Sequence, residues 1–294
     1  MYKVIRSFLN GLAFGITETI PGVSGGTIAI ILGFYFELIE AINHFTENLR
    51  KNLQFMLPLV LGIATGILLF SSLIHFLLAH YSFPTMLFFI GLIVGIIPHI
   101  FLKIKEPDRG FKFTEILLVL IPFVILVTLS FLKKDTAAVN PEEVNVTIPF
   151  MFFIFFAGII AAAALVIPGV SGSFVLLLLG IYPLIIYSVS SIRILLTDMS
   201  NTSLMIDICK VLGPLALGII IGGLSMTRLI ENLLKNFHKI VYSIILGLLS
   251  GSVCVLFKEP MVYKSGISAI IIVTGIVTFV LGCTLSFTLG RKRL

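Results

Sequence analysis

The residues best suited to chemistry in this chain fall in two matched runs. Residues 20–25 and 167–172 both read IPGVSG. The first run offers Pro21, Gly22, Ser24, Gly25, Gly26 and Thr27, and the second offers Pro168, Gly169, Ser171, Gly172 and Ser173. Each proline ends a preceding helix, and the glycines let backbone come close to a ligand. The helix that begins after the turn presents free N–H groups and the positive end of its dipole, and the hydroxyls add donors. Together these make an anion site of the kind found at helix N-termini. For one copy, tight packing and helix capping explain the residues as well. Two matched copies favour a ligand. A nucleotide P-loop is excluded, because no lysine follows the glycines as GxxxxGK[ST] requires.

Glu18 stands three residues before Pro21 in an apolar stretch, and its counterpart in the second copy is Leu165. An ionisable group at such depth is costly and marks a functional candidate. It can serve as a gate or carry a coupled proton, or it can pair with a basic residue such as Arg228. Arg193 and Arg228 follow apolar segments, where a planar guanidinium can meet a headgroup phosphate or simply anchor the interface. His75 and His80 are five apart, the wrong spacing for one helical face, and His44, His99 and His238 are scattered. No metal site and no catalytic constellation stand out. Cys209, Cys254 and Cys283 are isolated in apolar stretches and read as space-filling.

The elements that position these residues follow from composition. The chain has 294 residues, 58% hydrophobic and 12% charged. Globular chains run near 45–50% and ~25%. With a mean hydropathy of +1.16, this much apolar surface cannot be hidden in soluble cores. The chain reads as an integral membrane protein. Its net charge of +6 comes without a basic, aromatic-interleaved run, so nucleic acid is not an expected partner. Lys3 and Arg6 precede an apolar run as in a signal peptide, but no small-x-small cleavage site follows before Pro21, so the segment is expected to remain in the mature chain.

The duplication extends beyond the motifs. At an offset of 147, Leu32, Gly33 and Tyr35 match Leu179, Gly180 and Tyr182. At an offset of 156, PLVLGIATG from Pro58 matches PLALGIIIG from Pro214, and Gly91 and Gly95 match Gly247 and Gly251. The first repeat is assigned to 1–147, with a hairpin over 7–42 and spans at 53–78, 84–102 and 114–132. The second covers 148–294, with a hairpin over 149–190 and spans at 208–227, 240–257 and 266–288. Each arm flanking the first motif covers only ~21–24 Å at 1.5 Å per residue, short of a ~30 Å hydrocarbon core. The hairpins are therefore expected to be re-entrant, with the motif at the tip. A unit of one hairpin and three spans crosses an odd number of times, so the second copy is expected to be inverted. With the N-terminus inside, Lys3, Arg6, Arg50, Lys51, Lys103, Lys105, Arg109, Lys112, Arg228, Lys235, Lys239, Arg291, Lys292 and Arg293 fall inside. Lys133, Lys134, Arg193, Lys210, Lys258 and Lys264 fall outside. That 14-to-6 split follows the positive-inside rule and puts both termini in the cytoplasm. The fold class is thus an all-α integral membrane protein of two inverted repeats, each a re-entrant helical hairpin plus about three transmembrane helices.

ETIPGVSGGTIAIILGFY and LVIPGVSGSFVLLLLGIY, with GLIVGIIP and GLLSGS further on, resemble the DUF368 family of bacterial membrane proteins over essentially the whole chain. The resemblance implies an undecaprenyl phosphate translocase of the bacterial cytoplasmic membrane. Such a protein returns the carrier lipid of cell-wall synthesis from the outer to the inner leaflet for reuse. It implies that both motifs contact the lipid phosphate, and it puts Glu18 at the family's acidic position. No cofactor is expected; coupling to protons or another ion, and assembly as a homo-oligomer, are left open. The alternatives are an ion-coupled carrier of a small soluble anion, which should show a polar path to both faces, a membrane enzyme acting on a lipid phosphate, which needs an acid/base or nucleophile constellation, and a scaffold subunit, which would leave the duplicated motifs without a reason.

Overall fold

The computed structural model describes residues 2–20, 23–104, 113–132, 146–197, 202–258 and 269–293, and every regular element among them is helical. Eleven helices follow in order: α1 Tyr2–Glu18, α2 Gly25–Ile31, α3 Tyr35–Asn43, α4 Leu49–His80, α5 Ser82–Ile104, α6 Phe113–Leu132, α7 Ile148–Val166, α8 Gly172–Leu178, α9 Tyr182–Thr197, α10 Thr202–Lys258 and α11 Ala269–Arg293. Six are long and apolar enough to cross a membrane, or eight spans result if each of two bent pairs counts as one. Exposed Leu68, Leu69, Phe113, Phe131 and Ile270 are what a lipid-facing surface requires, and the chain is a multi-pass membrane protein.

Two expectations need adjustment. The stretch after each motif is two helices rather than one half-helix. Gly33 (φ 68°) and Gly180 (φ 75°) occupy the left-handed region, which a side chain resists and glycine accepts. Phe34 N–H reaches Ala29 C=O and Gly33 N–H reaches Ile30 C=O; Ile181 and Gly180 repeat both bonds to Leu176 and Leu177. This double bond pattern terminates a helix after a left-handed glycine. The chain then turns by 114° between α2 and α3 and by 116° between α8 and the following helix. The lengths also differ. α1 has 17 residues, while α7 has 19 and is itself a candidate span. The spans expected at 208–227 and 240–257 form one long helix, α10, broken at Phe237 (φ −138°, ψ 45°). The last span is described from Ala269, so 266–268 lie outside the described residues.

Contacts divide the chain into two compact units. One holds Met1–Ser130, Ile167–Val170 and Thr227–Leu294, and the other holds Phe131–Val166 and Ser171–Met226. In the first, all of α2 is buried, and α5 contributes fully buried Ile90, Ile93, Ile96 and Ile100. In the second, Ile154 and Ala157 of α7, Leu176 of α8, Leu184 of α9 and Leu215 of α10 share one core.

Glycines set the helix pairing. A Cβ on Gly11, Gly15, Gly62 or Gly66 would run into backbone carbonyls across the α1–α4 contact. The second unit repeats this between α7 and α10, through Gly158 against Leu215, Gly218 against Phe155 and Gly222 against Ile159. Within the first unit, α5 pairs with α11 (Gly91 with Phe279, Gly95 with Cys283), and α6 pairs with the limb of α10 after Phe237 (Val119 with Gly247, Phe123 with Gly251). Small residues let backbones approach in this way. In all four pairs residue numbers rise together, so the paired helices run parallel. The partner of α5 thus comes from the other end of the chain rather than from its neighbour α6.

Candidate functional site

The motif turns are built from the end of one helix and the start of a very short next one. At the first turn, Ser24 is an extended N-cap (φ −95°, ψ 131°) whose side chain makes no capping bond. Its hydroxyl is buried, with the residue 2% exposed, and has no hydrogen-bond partner among the described residues. Leaving such a donor unpaired costs about 1–3 kcal/mol. Glu18, the last residue of α1, accepts the Gly25 N–H at 2.9 Å. Glu18 as a whole residue is exposed. Among the described residues Glu18 makes no ion pair with Arg228, which is exposed where the apolar part of α10 gives way to its charged segment. Pro21 and Gly22 lie outside the described residues.

The first half of the second motif joins the first motif. Gly169 donates its N–H to Thr27 Oγ1 at 3.0 Å. Pro168 and Gly169 are buried, and Thr27 is only 1% exposed. Gly169 adopts φ +89° and lies against Leu248, where a Cβ would stand only 3.0 Å from the backbone carbonyl, tighter than ordinary contact. Thr27, read from the sequence as a donor, is therefore an acceptor that links 27 to 169 and keeps its own O–H proton to give.

The second turn has the same backbone, with Ser171 at φ −99°, ψ 132°, but different side-chain chemistry. Ser171 Oγ pairs with Ser173 Oγ at 2.7 Å. The position equivalent to Ser173 in the first motif is Gly26, so Ser24 lacks the neighbour that satisfies Ser171. Where Glu18 caps Gly25, Leu165 merely packs over Gly172. Both differences were written in the sequence, but only the geometry shows that they set apart a turn whose serine hydroxyl is unpaired among the described residues from one whose two serine hydroxyls pair with each other, leaving one O–H of the two to give. Arg193 falls in α9, and its side chain is outside the described residues.

A polar network that the sequence reading missed ties the far end of the first hairpin to the charged segment of α10. Thr227 donates to Asn43 Oδ1 at 2.7 Å, and Asn43 donates to Glu231. His44 bridges Glu47 and Glu231, both at 2.9 Å, and Lys235 reaches Glu231 at 2.6 Å. His44 lies between α3 and α4, outside the spans. Its hydrogen bonds to Glu47 and then Glu231 raise its pKa above the ordinary imidazole value. Lys235 served only as a topology marker in the sequence and Glu231 was not singled out, because the Asn43 and His44 partners of Glu231 lie nearly two hundred residues away.

The profile of the VCA0040-like family, described as undecaprenyl phosphate translocase-like, matches residues 14–271. The chain is 28% identical over 288 residues to a polyprenyl-phosphate transporter of Staphylococcus aureus (strain NCTC 8325 / PS 47), covering 97% of this chain and 95% of that protein. It is 29% identical over 262 residues to a polyprenyl-phosphate transporter of Vibrio cholerae serotype O1, covering 84% and 76% respectively. No solved structure matches it significantly.

Proposed function

The chain belongs to the undecaprenyl phosphate translocase-like family, and from that premise we propose that it carries undecaprenyl phosphate from the outer to the inner leaflet of the bacterial cytoplasmic membrane. The observation that carries this reading is the buried Ser24 hydroxyl, unpartnered among the described residues, three positions before the Thr27 that binds Gly169 of the other motif. A phosphate monoester brings several strong acceptors to that point, while its polyprenyl tail stays in lipid. Ser24 and Thr27 each have an O–H to give. The Gly25 N–H is held by Glu18, so a phosphate that takes this amide must displace the carboxylate or meet it protonated. Glu18 then acts as a gate, occupying the anion site until substrate arrives.

The repeats are read as inverted, with both termini cytoplasmic. The parallel pairs α5–α11 and α6–α10 support this. Consecutive spans alternate in direction, so α5 and its counterpart in α10 run oppositely, as an inverted duplication requires. Rocking of one repeat against the other supplies alternating access. The test is leaflet exchange of labelled undecaprenyl phosphate in proteoliposomes, with uptake of inorganic phosphate measured alongside. Exchange above protein-free liposomes without phosphate uptake supports the lipid carrier. Uptake without lipid exchange replaces it with a carrier of small soluble anions.

A further inference from the structure

Away from the motif turns, a cavity of about 430 Å³ opens where the start of α1 meets α3 and the start of α4. Its walls carry two ammonium groups, Lys3 and Lys51, and two carboxylates, Glu37 and Glu40. Lys51 Nζ stands 4.0 Å from Glu40 Oε1. Ser7 also lines it; the residue is 6% exposed and makes no hydrogen bond among the described residues. This polar cavity shares Val4 and Gln54 with an apolar groove of about 500 Å³ that runs past Leu53 to Leu57 and Pro58, with Arg50 at its edge. Leu57 lies about 9 Å further along α4 than Lys51. The polar lobe is thus at the membrane surface marked by Lys3, Arg50 and Lys51, and the apolar lobe descends from it into the hydrocarbon.

The charge pattern selects the occupant. A purely anionic headgroup meets as many carboxylates as ammonium groups and gains little. A headgroup holding both a phosphate and a primary ammonium matches both sets, with charge-assisted hydrogen bonds on each side. We infer that this corner binds a zwitterionic, amine-bearing phospholipid of the phosphatidylethanolamine type. Its phosphate lies toward Lys3 and Lys51, its ammonium toward Glu37 and Glu40, and one acyl chain follows Leu53 and Leu57. Such a lipid pins α3, the last arm of the first hairpin, to α1 and α4. The inference does not depend on what the motif turns carry.

The test is native mass spectrometry of the purified full chain given equal amounts of phosphatidylethanolamine, phosphatidylcholine and phosphatidylglycerol. Phosphatidylcholine keeps the phosphate and positive charge but lacks N–H donors, so it isolates the contact to the carboxylates. Retention of phosphatidylethanolamine about fivefold over either competitor is expected, falling to the phosphatidylcholine level in the double variant Glu37→Gln, Glu40→Gln. Equal retention of phosphatidylcholine, preference for phosphatidylglycerol, or an unchanged double variant overturns the inference. Displacement of phosphatidylethanolamine by added undecaprenyl phosphate also overturns it, by giving the corner to a lipid phosphate. Should the variant fail to fold, the comparison of the two zwitterionic lipids on the wild type decides alone.

Discussion

Replacing Thr27 by valine keeps the shape of a side chain that is 1% exposed and removes one oxygen, the acceptor of the Gly169 N–H at 3.0 Å. Both groups are buried, so water cannot take the lost acceptor's place. An orphaned buried amide costs about 1–3 kcal/mol, and the isosteric valine adds little strain of its own. Serine at the same position keeps the acceptor and loses one buried methyl, about 1 kcal/mol. Stability alone could leave the two variants close together, so the deciding readout is local. Hydrogen–deuterium exchange in nanodiscs should show the peptide containing 167–170 losing protection in Thr27→Val and keeping it in Thr27→Ser. Thermal unfolding should place the valine variant at or below the serine variant. Equal protection in wild type and Thr27→Val would refute the claim that this hydrogen bond holds the two motifs together.

Other outcomes follow from particular contacts. Gly169→Ala pays for a left-handed backbone, about 1–2 kcal/mol, and for crowding Leu248, about 1–3 kcal/mol more. Gly180→Ala has nothing within 4 Å and pays only the backbone cost, so thermal unfolding should rank Gly169→Ala clearly below it; the reverse order contradicts the packing assigned to Gly169. Hydrogen bonds to Glu47 and Glu231 raise the His44 pKa, so its contribution to stability is full below about pH 6.5 and disappears as pH rises through its higher folded pKa. The difference in Tm between wild type and His44→Gln should shrink from pH 6 to pH 9, and a constant difference speaks against the bridge. Glu18→Gln keeps an oxygen for the Gly25 N–H but cannot carry a charge. Lipid exchange by this variant should lose any pH response shown by the wild type, and a retained response removes Glu18 from the gating role.

What could be read in advance was what depends on local sequence. The apolar runs at 53–78, 84–102 and 114–132 fall within α4, α5 and α6, and the repeated IPGVSG marked two turns whose serines share one backbone conformation. The Leu-Gly-x-Tyr matches at Gly33 and Gly180 were visible too, but identity between copies does not say that both glycines take positive φ and bend the chain. The glycine pairs announced close helix packing without naming partners. That α5 meets α11 while α6 meets α10 is a choice among distant surfaces of similar composition. The break at Phe237 has no proline or glycine to mark it and follows from tertiary packing. At the site, the sequence supplied the hydroxyls and Glu18. Which serine hydroxyl is unpaired depends on Gly26 standing where the second motif has Ser173, a difference that acquires meaning only because both turns share one backbone conformation.

The central claim is that the spare donor at Ser24 receives a lipid phosphate. The most direct measurement is the rate of undecaprenyl phosphate exchange in proteoliposomes for wild type, Ser24→Ala and Ser171→Ala, each shown to be folded. A hydrogen bond to a charged group contributes about 1.5–3 kcal/mol. Ser24→Ala should therefore slow exchange at least tenfold, while Ser171→Ala, whose hydroxyl is already paired with Ser173, should slow it less. Wild-type rates in Ser24→Ala, or a wild type no faster than protein-free liposomes, would contradict the account.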